Sequence, residues 1–218
     1  MKCKLIDFKV SDEVCDDRDV VDEYEKNRKH CFYCPDPRQR PESYQDKSHH
    51  FRVQLFGIDQ ERNTYSIFVN DYRPYIFAQV PFNWNKAKFR LFIDFLDKQL
   101  TSKNAYILKA EIVQYKKLYG FDGGKQYKFV QLFTRSNREL NALKYLWYNN
   151  GENRTLKPGG IKYKNDKIPL YEGHIPPLLR FFHERSINPS GWIEINDEQL
   201  FGDDKITNCT FELSISMN

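Results

Sequence analysis

Chemistry on phosphodiesters with two metal ions needs closely spaced carboxylates held on a rigid, apolar element. The adjacent acids Asp12-Glu13, Asp16-Asp17 and Asp203-Asp204 lie in polar stretches, none on an apolar strand. Gly120 to Gly124 lacks the Gly-Lys-Ser/Thr ending of a phosphate-binding loop and reads as a hairpin turn. Ser190, in Pro-Ser-Gly, is a turn former rather than a nucleophile. His183 sits beside Phe181 and Phe182 on an apolar helix, where a placed structural histidine is the commoner case. The spacing of Cys31 and Cys34, with His49 downstream, is that of a partial zinc site. Completing it would require Cys15 or Cys3, so surface thiols are the simpler reading. Nothing here assembles a catalytic centre, and the chain alone is expected not to be an enzyme.

What remains is binding. Residues 86 to 128 carry ten Lys or Arg against four acids, and residues 135 to 167 carry eight against three. Residues 11 to 25 carry eight acids against Arg18. The net charge is only +4, so the basic middle of the chain is the informative feature. Lysines alternating with aromatics can track phosphates and stack on bases. Lys116, Lys117, Tyr119, Lys125, Tyr127 and Lys128 flank one Asp-Gly-Gly turn and form the candidate strip. Phe121, within it, reads as a buried hairpin residue.

The elements that must hold this strip are readable. Residues 2 to 10 pattern as a strand. Residues 11 to 48 are polar and read as an insertion or loop, with a short helix near 20 to 29. Segments 51–56, 65–69 and 75–80 show period-two patterning separated by turn residues and read as an antiparallel meander. Asn85 to Lys103 is an amphipathic helix with Phe89, Phe92, Ile93, Leu96 and Leu100 on one stripe. Strands near 105–118 and 127–134 follow, joined by the Asp122-Gly123 turn. A second helix at 137–148 buries Leu140, Leu143, Leu146 and Trp147. Strand, helix, strand, strand, helix is most of a split βαβ unit. Residues 161–164 or 192–195 could supply its closing strand. The fold class is α+β: a meander plus an RNA-recognition-like, or ferredoxin-like, unit. No apolar run approaches a membrane span, and the start lacks a signal-peptide core, so the expected setting is intracellular.

Three motifs resemble family B DNA polymerases of the delta branch. Tyr171-Glu172, Ile175, Leu179-Arg180-Phe181 and Gly191-Trp192-Ile193 are similar to a segment of that family at the junction with the proofreading exonuclease. Phe56-Gly57, Ser66-Ile67 and Pro74-Tyr75 with Phe77 match a second pattern, although Asp71-Tyr72-Arg73 stands where Gly-Phe is usual. Tyr119-Gly120-Phe121, with the turn after it, looks closest to polymerases of large nucleocytoplasmic DNA viruses. Beside these three, the shorter stretch from Cys209 to Glu212 is similar to a delta-branch pattern preceding the exonuclease.

The resemblance implies an N-terminal domain over 1–218. Residues 51–150 would form its core, and 168–213 would lead to the exonuclease. It further implies a site near Ile175 and Arg180 against single-stranded template DNA, and packing on the rest of the polymerase chain. Magnesium would serve the full polymerase. Replication would run in host cytoplasm, in a viral factory, or in the nucleus. The family's D-x-E exonuclease motif on an apolar strand does not occur here. An alternative is a free-standing nucleic-acid-binding or scaffold protein derived from the same domain.

Overall fold

A computed structural model describes residues 1–14, 33, 49–117, 122–150, 154–195 and 205–215. The chain divides into two compact units. The first contains Met1–Glu13, His50–Arg73 and Ile175–Asn218; the second contains Val14–His49 and Pro74–His174.

The first unit is built on five strands: β1 (Lys2–Val14), β2 (His49–Ile58), β3 (Thr64–Val69), β10 (Trp192–Glu194) and β11 (Phe211–Ile215). Their order is β10-β1-β2-β3-β11. The β2–β3 pair is antiparallel and β11 runs parallel to β3. Asp59 sets the β2–β3 turn: its carboxylate accepts from the backbone N–H groups of Glu61 and Asn63 and from the Tyr65 hydroxyl. The core joins Cys3, Leu5, Val53, Leu55, Ile67, Val69 and Leu213 to Phe181 and Phe182 of helix α3 (Pro177–Glu184). Pro177 opens α3, where a missing N–H costs nothing. Tyr72 and Phe181 meet edge to face at 5.3 Å.

The second unit carries a four-stranded sheet in the order β5-β6-β4-β9. Its strands are β4 (Tyr75–Val80), β5 (Lys109–Lys116), β6 (Gln126–Phe133) and β9 (Leu170–Tyr171). All neighbours are antiparallel. Helix α1 (Lys86–Thr101) connects β4 to β5, with β6 inserted between them, which is the split βαβ arrangement. Asn85 caps α1 by accepting from the Lys88 N–H, and the five expected stripe residues are all buried. Helix α2 (Asn137–Lys144) starts with a reciprocal capping box between Ser136 and Glu139. It runs into a 3₁₀ turn at Tyr145–Trp147. Trp147 is fully buried and its indole N–H donates to the Ile168 carbonyl. A small hairpin of β7 (Ile161–Tyr163) and β8 (Asp166–Ile168) lies against the same core.

The α+β class holds, with four departures in detail. The three meander strands are divided: β2 pairs with β3, whereas β4 pairs with β6 and β9. The split βαβ unit is closed by Leu170–Tyr171, not by either expected segment. Ile161–Tyr163 pairs with β8, and Trp192–Glu194 pairs with β1. Residues 11–14, read as the start of the polar insertion, extend β1. The short helix near 20–29 lies outside the described residues.

Candidate nucleic-acid interface

The second unit's sheet has two unlike faces, fixed by the period-two alternation of its strands. Ile76, Ala78, Val80, Ala110, Val130 and Leu132 point to the helices and join the large core. The opposite face is aromatic. Tyr75, Phe77 and Phe129 form its centre, with Tyr127, Phe133, Val113 and Tyr171 packed around them. Ring centroids lie 5.2 Å apart for Tyr75–Phe77, 6.0 Å for Phe77–Phe129 and 5.2 Å for Phe129–Tyr171. Phe129 is only 1% exposed, so the central rings form a packed layer. Towards the end of the β5–β6 hairpin the layer opens. Tyr115, directly opposite Tyr127, is 51% exposed.

The register sorts the expected lysines. Lys117 and Lys125 share the aromatic face with Tyr127: their Nζ atoms stand 4.1 and 5.6 Å from its ring centroid. Lys117 also lies 5.8 Å from the Tyr171 ring. Lys116 and Lys128 fall on the alternate parity of β5 and β6. Lys116 Nζ would be 3.6 Å from a Cβ at Gly124, which places it over the turn. Lys128 is engaged elsewhere: its ammonium donates to the carbonyls of Phe82 (2.7 Å) and Trp84 (3.2 Å), just ahead of α1. It also lies 4.9 Å from the Phe82 ring. Asp122 accepts from the Tyr127 hydroxyl, and that bond and the neighbouring carboxylate raise the phenol's pKa. The turn is thereby tied to the strand that displays the lysines.

Ile175 and Arg180 belong to the first unit, on and before α3. Ile175 is half-buried and Arg180 is buried. Thus Lys117 and Lys125 come together, while Ile175 and Arg180 form part of a different body. Tyr119, Cys31 and Cys34 lie outside the described residues. His49 begins β2, and among the described residues no group of three or more His, Cys, Asp or Glu could hold a metal ion. Sequence reasoning named Tyr75, Phe77 and Tyr171 only as family motifs and did not assign them, Tyr115 or Phe133 to the site. Only the strand pairing reveals that they share one face with Lys117.

The profile of the DNA polymerase family B exonuclease domain matches residues 168–218. The chain is 32% identical over 169 residues to a DNA polymerase of Phaeocystis pouchetii virus, covering 74% of this chain and 16% of that relative. The chain is similar to family B DNA polymerases. The catalytic subunit of DNA polymerase delta from Schizosaccharomyces pombe is 24% identical over 168 residues, covering 75% of this chain and 15% of the relative. The chain therefore spans about a sixth of the length of these curated relatives. The fold agrees with a family B DNA polymerase from the hyperthermophilic archaeon Pyrobaculum calidifontis. That match has a TM-score of 0.53 at 16% identity, over 97% of this chain and 19% of the other. The viral and delta-like resemblance seen in the three motifs holds. The family B exonuclease profile begins at Ile168, the last residue of β8, and so takes in β9, α3, β10 and β11.

Proposed function

We propose that this chain is a non-catalytic part of a viral family B DNA polymerase that carries single-stranded template. It packs against the exonuclease and palm domains of the same polymerase, within the infected host cell. The observation that carries this reading is the grouping of Lys117, Lys125, Tyr127 and exposed Tyr115 at one end of an aromatic sheet face. Ammonium groups there follow phosphates, and an exposed ring offers a base a stacking surface worth about 1 to 3 kcal/mol. RNA-recognition-like sheets use their helix-free face in this way. Lys116, on the turn, extends the positive strip. Lys128 supports the scaffold through the Phe82 and Trp84 carbonyls. Ile175 and Arg180 enter through the family resemblance, and the burial of Arg180 favours a role in holding α3 in its unit.

The polymerase as a whole would use a divalent metal such as magnesium for its chemistry. The experiment is a titration of the chain with labelled oligothymidylate, followed by fluorescence anisotropy. Binding that weakens about tenfold on Tyr115→Ala supports the reading. Binding unchanged by Tyr115→Ala and insensitive to salt would overturn it.

A further inference from the structure

A second cationic surface lies on the helix side of the second unit. A cleft of about 640 Å³ opens between the end of α1, α2 and the 3₁₀ turn, and Lys103, Arg138, Asn141, Tyr145, Tyr148 and Arg154 line it. That size suits a small-molecule or nucleotide ligand. No carboxylate lines it among the described residues. The Lys103 and Arg154 cations on its wall favour an anionic ligand.

The walls are fixed from the core outward. Buried Trp147 anchors the 3₁₀ turn through its bond to Ile168, and the Lys157 N–H returns to the Trp147 carbonyl at 2.8 Å. Lys157 Nζ donates to the Leu146 carbonyl, and the Asn149 N–H donates to Thr155. These bonds hold the segment beginning at Arg154 against the turn that displays the tyrosines. Tyr145 and Tyr148 meet edge to face at 5.9 Å, and Tyr145 is 37% exposed. The Arg154 guanidinium lies 4.5 Å from the Tyr145 ring centroid. Flat cationic and aromatic surfaces therefore stand together with an amide, Asn141, that can donate and accept.

We propose that this cleft binds a nucleobase and its flanking phosphate from a single-stranded nucleic acid, as a contact separate from the hairpin face. The inference shares the ligand class of the proposed function but rests on other residues. An acidic peptide would also answer the charge. Planar rings beside a guanidinium and an amide favour a base, which has a π-face and polar edges to offer.

The test uses the full chain and bromodeoxyuridine-substituted oligothymidylate, photocrosslinked and mapped by mass spectrometry. Adducts on Tyr145 or Tyr148 are expected, and they should persist in Lys117→Ala/Lys125→Ala. Arg138→Ala/Arg154→Ala should weaken anisotropy-measured binding about tenfold while the far-UV circular dichroism spectrum of the folded chain is retained, because both side chains are exposed. Oligouridylate binding at the same site supports the inference and makes the cleft indifferent to the sugar. Adducts confined to residues 109–128, with Arg138→Ala/Arg154→Ala binding within about twofold of the unaltered chain, would overturn it and leave the hairpin reading intact. Displacement of the oligonucleotide by polyglutamate at equal potency, with no tyrosine adduct, would overturn it in favour of an acidic peptide.

Discussion

Lys128 separates a scaffold lysine from a strand-binding one. Its ammonium donates to two backbone carbonyls, Phe82 at 2.7 Å and Trp84 at 3.2 Å, and its charge lies near the Phe82 and Phe89 rings. Lys128→Met keeps most of the aliphatic stem and removes both hydrogen bonds. A hydrogen bond to a charged group contributes about 1.5 to 3 kcal/mol when buried. This one lies at the rim, where water can replace the donor, so the expected loss is about 1 to 2 kcal/mol. For a chain of this size that lowers the melting temperature by roughly 2 to 8 °C. A urea or thermal denaturation series measures it. Anisotropy on the same variant should give the unaltered salt dependence for oligothymidylate. A phosphate-contacting lysine would behave oppositely: stability would hold and the slope of log K against log salt would shrink by about 0.7. That second pattern for Lys128→Met would refute the assignment.

Two stability predictions follow from local geometry. At Gly160, φ is +90° and a Cβ would sit 2.0 Å from the Ile168 carbonyl oxygen, so Gly160→Ala should cost at least about 3 kcal/mol. Gly123, at φ +69°, has open space around it, so Gly123→Ala should cost only about 1 to 2 kcal/mol; equal urea midpoints for the two variants would contradict this. For Glu212, burial pushes the carboxyl pKa up. The bonds it accepts from the Thr207 hydroxyl and the backbone of Ile206 and Thr207 outweigh that and leave the pKa below its ordinary value. A lowered folded-state pKa stabilises above the unfolded value of about 4.3 and is lost as pH falls through the folded value. Glu212→Gln should therefore melt lower than the unaltered chain at pH 7, with the gap closing below about pH 4. A gap independent of pH would contradict it.

The parts readable in the sequence are those whose signal is local. The α1 stripe from Phe89 to Leu100 and the apolar helix holding Phe181 and Phe182 stand where residue pattern put them. Pairing is not local. Period-two alternation marks β4 as a strand but says nothing of its partners, so its separation from β3 could not be read. The closing strand has two residues, Leu170 and Tyr171, too few to show any period. β1 continues through Asp12 and Glu13 while Ile6, Phe8 and Val10 are exposed, so its far half carries no burial pattern. The site follows the same division. Composition identified the lysine-rich hairpin, but a one-residue difference in parity assigns Lys117 and Lys125 to the aromatic face and Lys116 and Lys128 to the other.

The central claim is that the Lys117–Lys125 end of the aromatic face holds single-stranded template. Its most direct test is the salt dependence of oligothymidylate binding by the unaltered chain and by Lys117→Ala/Lys125→Ala. Two lost phosphate contacts should reduce the slope of log K against log salt by about 1.4, with the melting temperature unchanged. An unchanged slope, with affinity equal to that of the unaltered chain, would contradict the claim and make this face a packing surface.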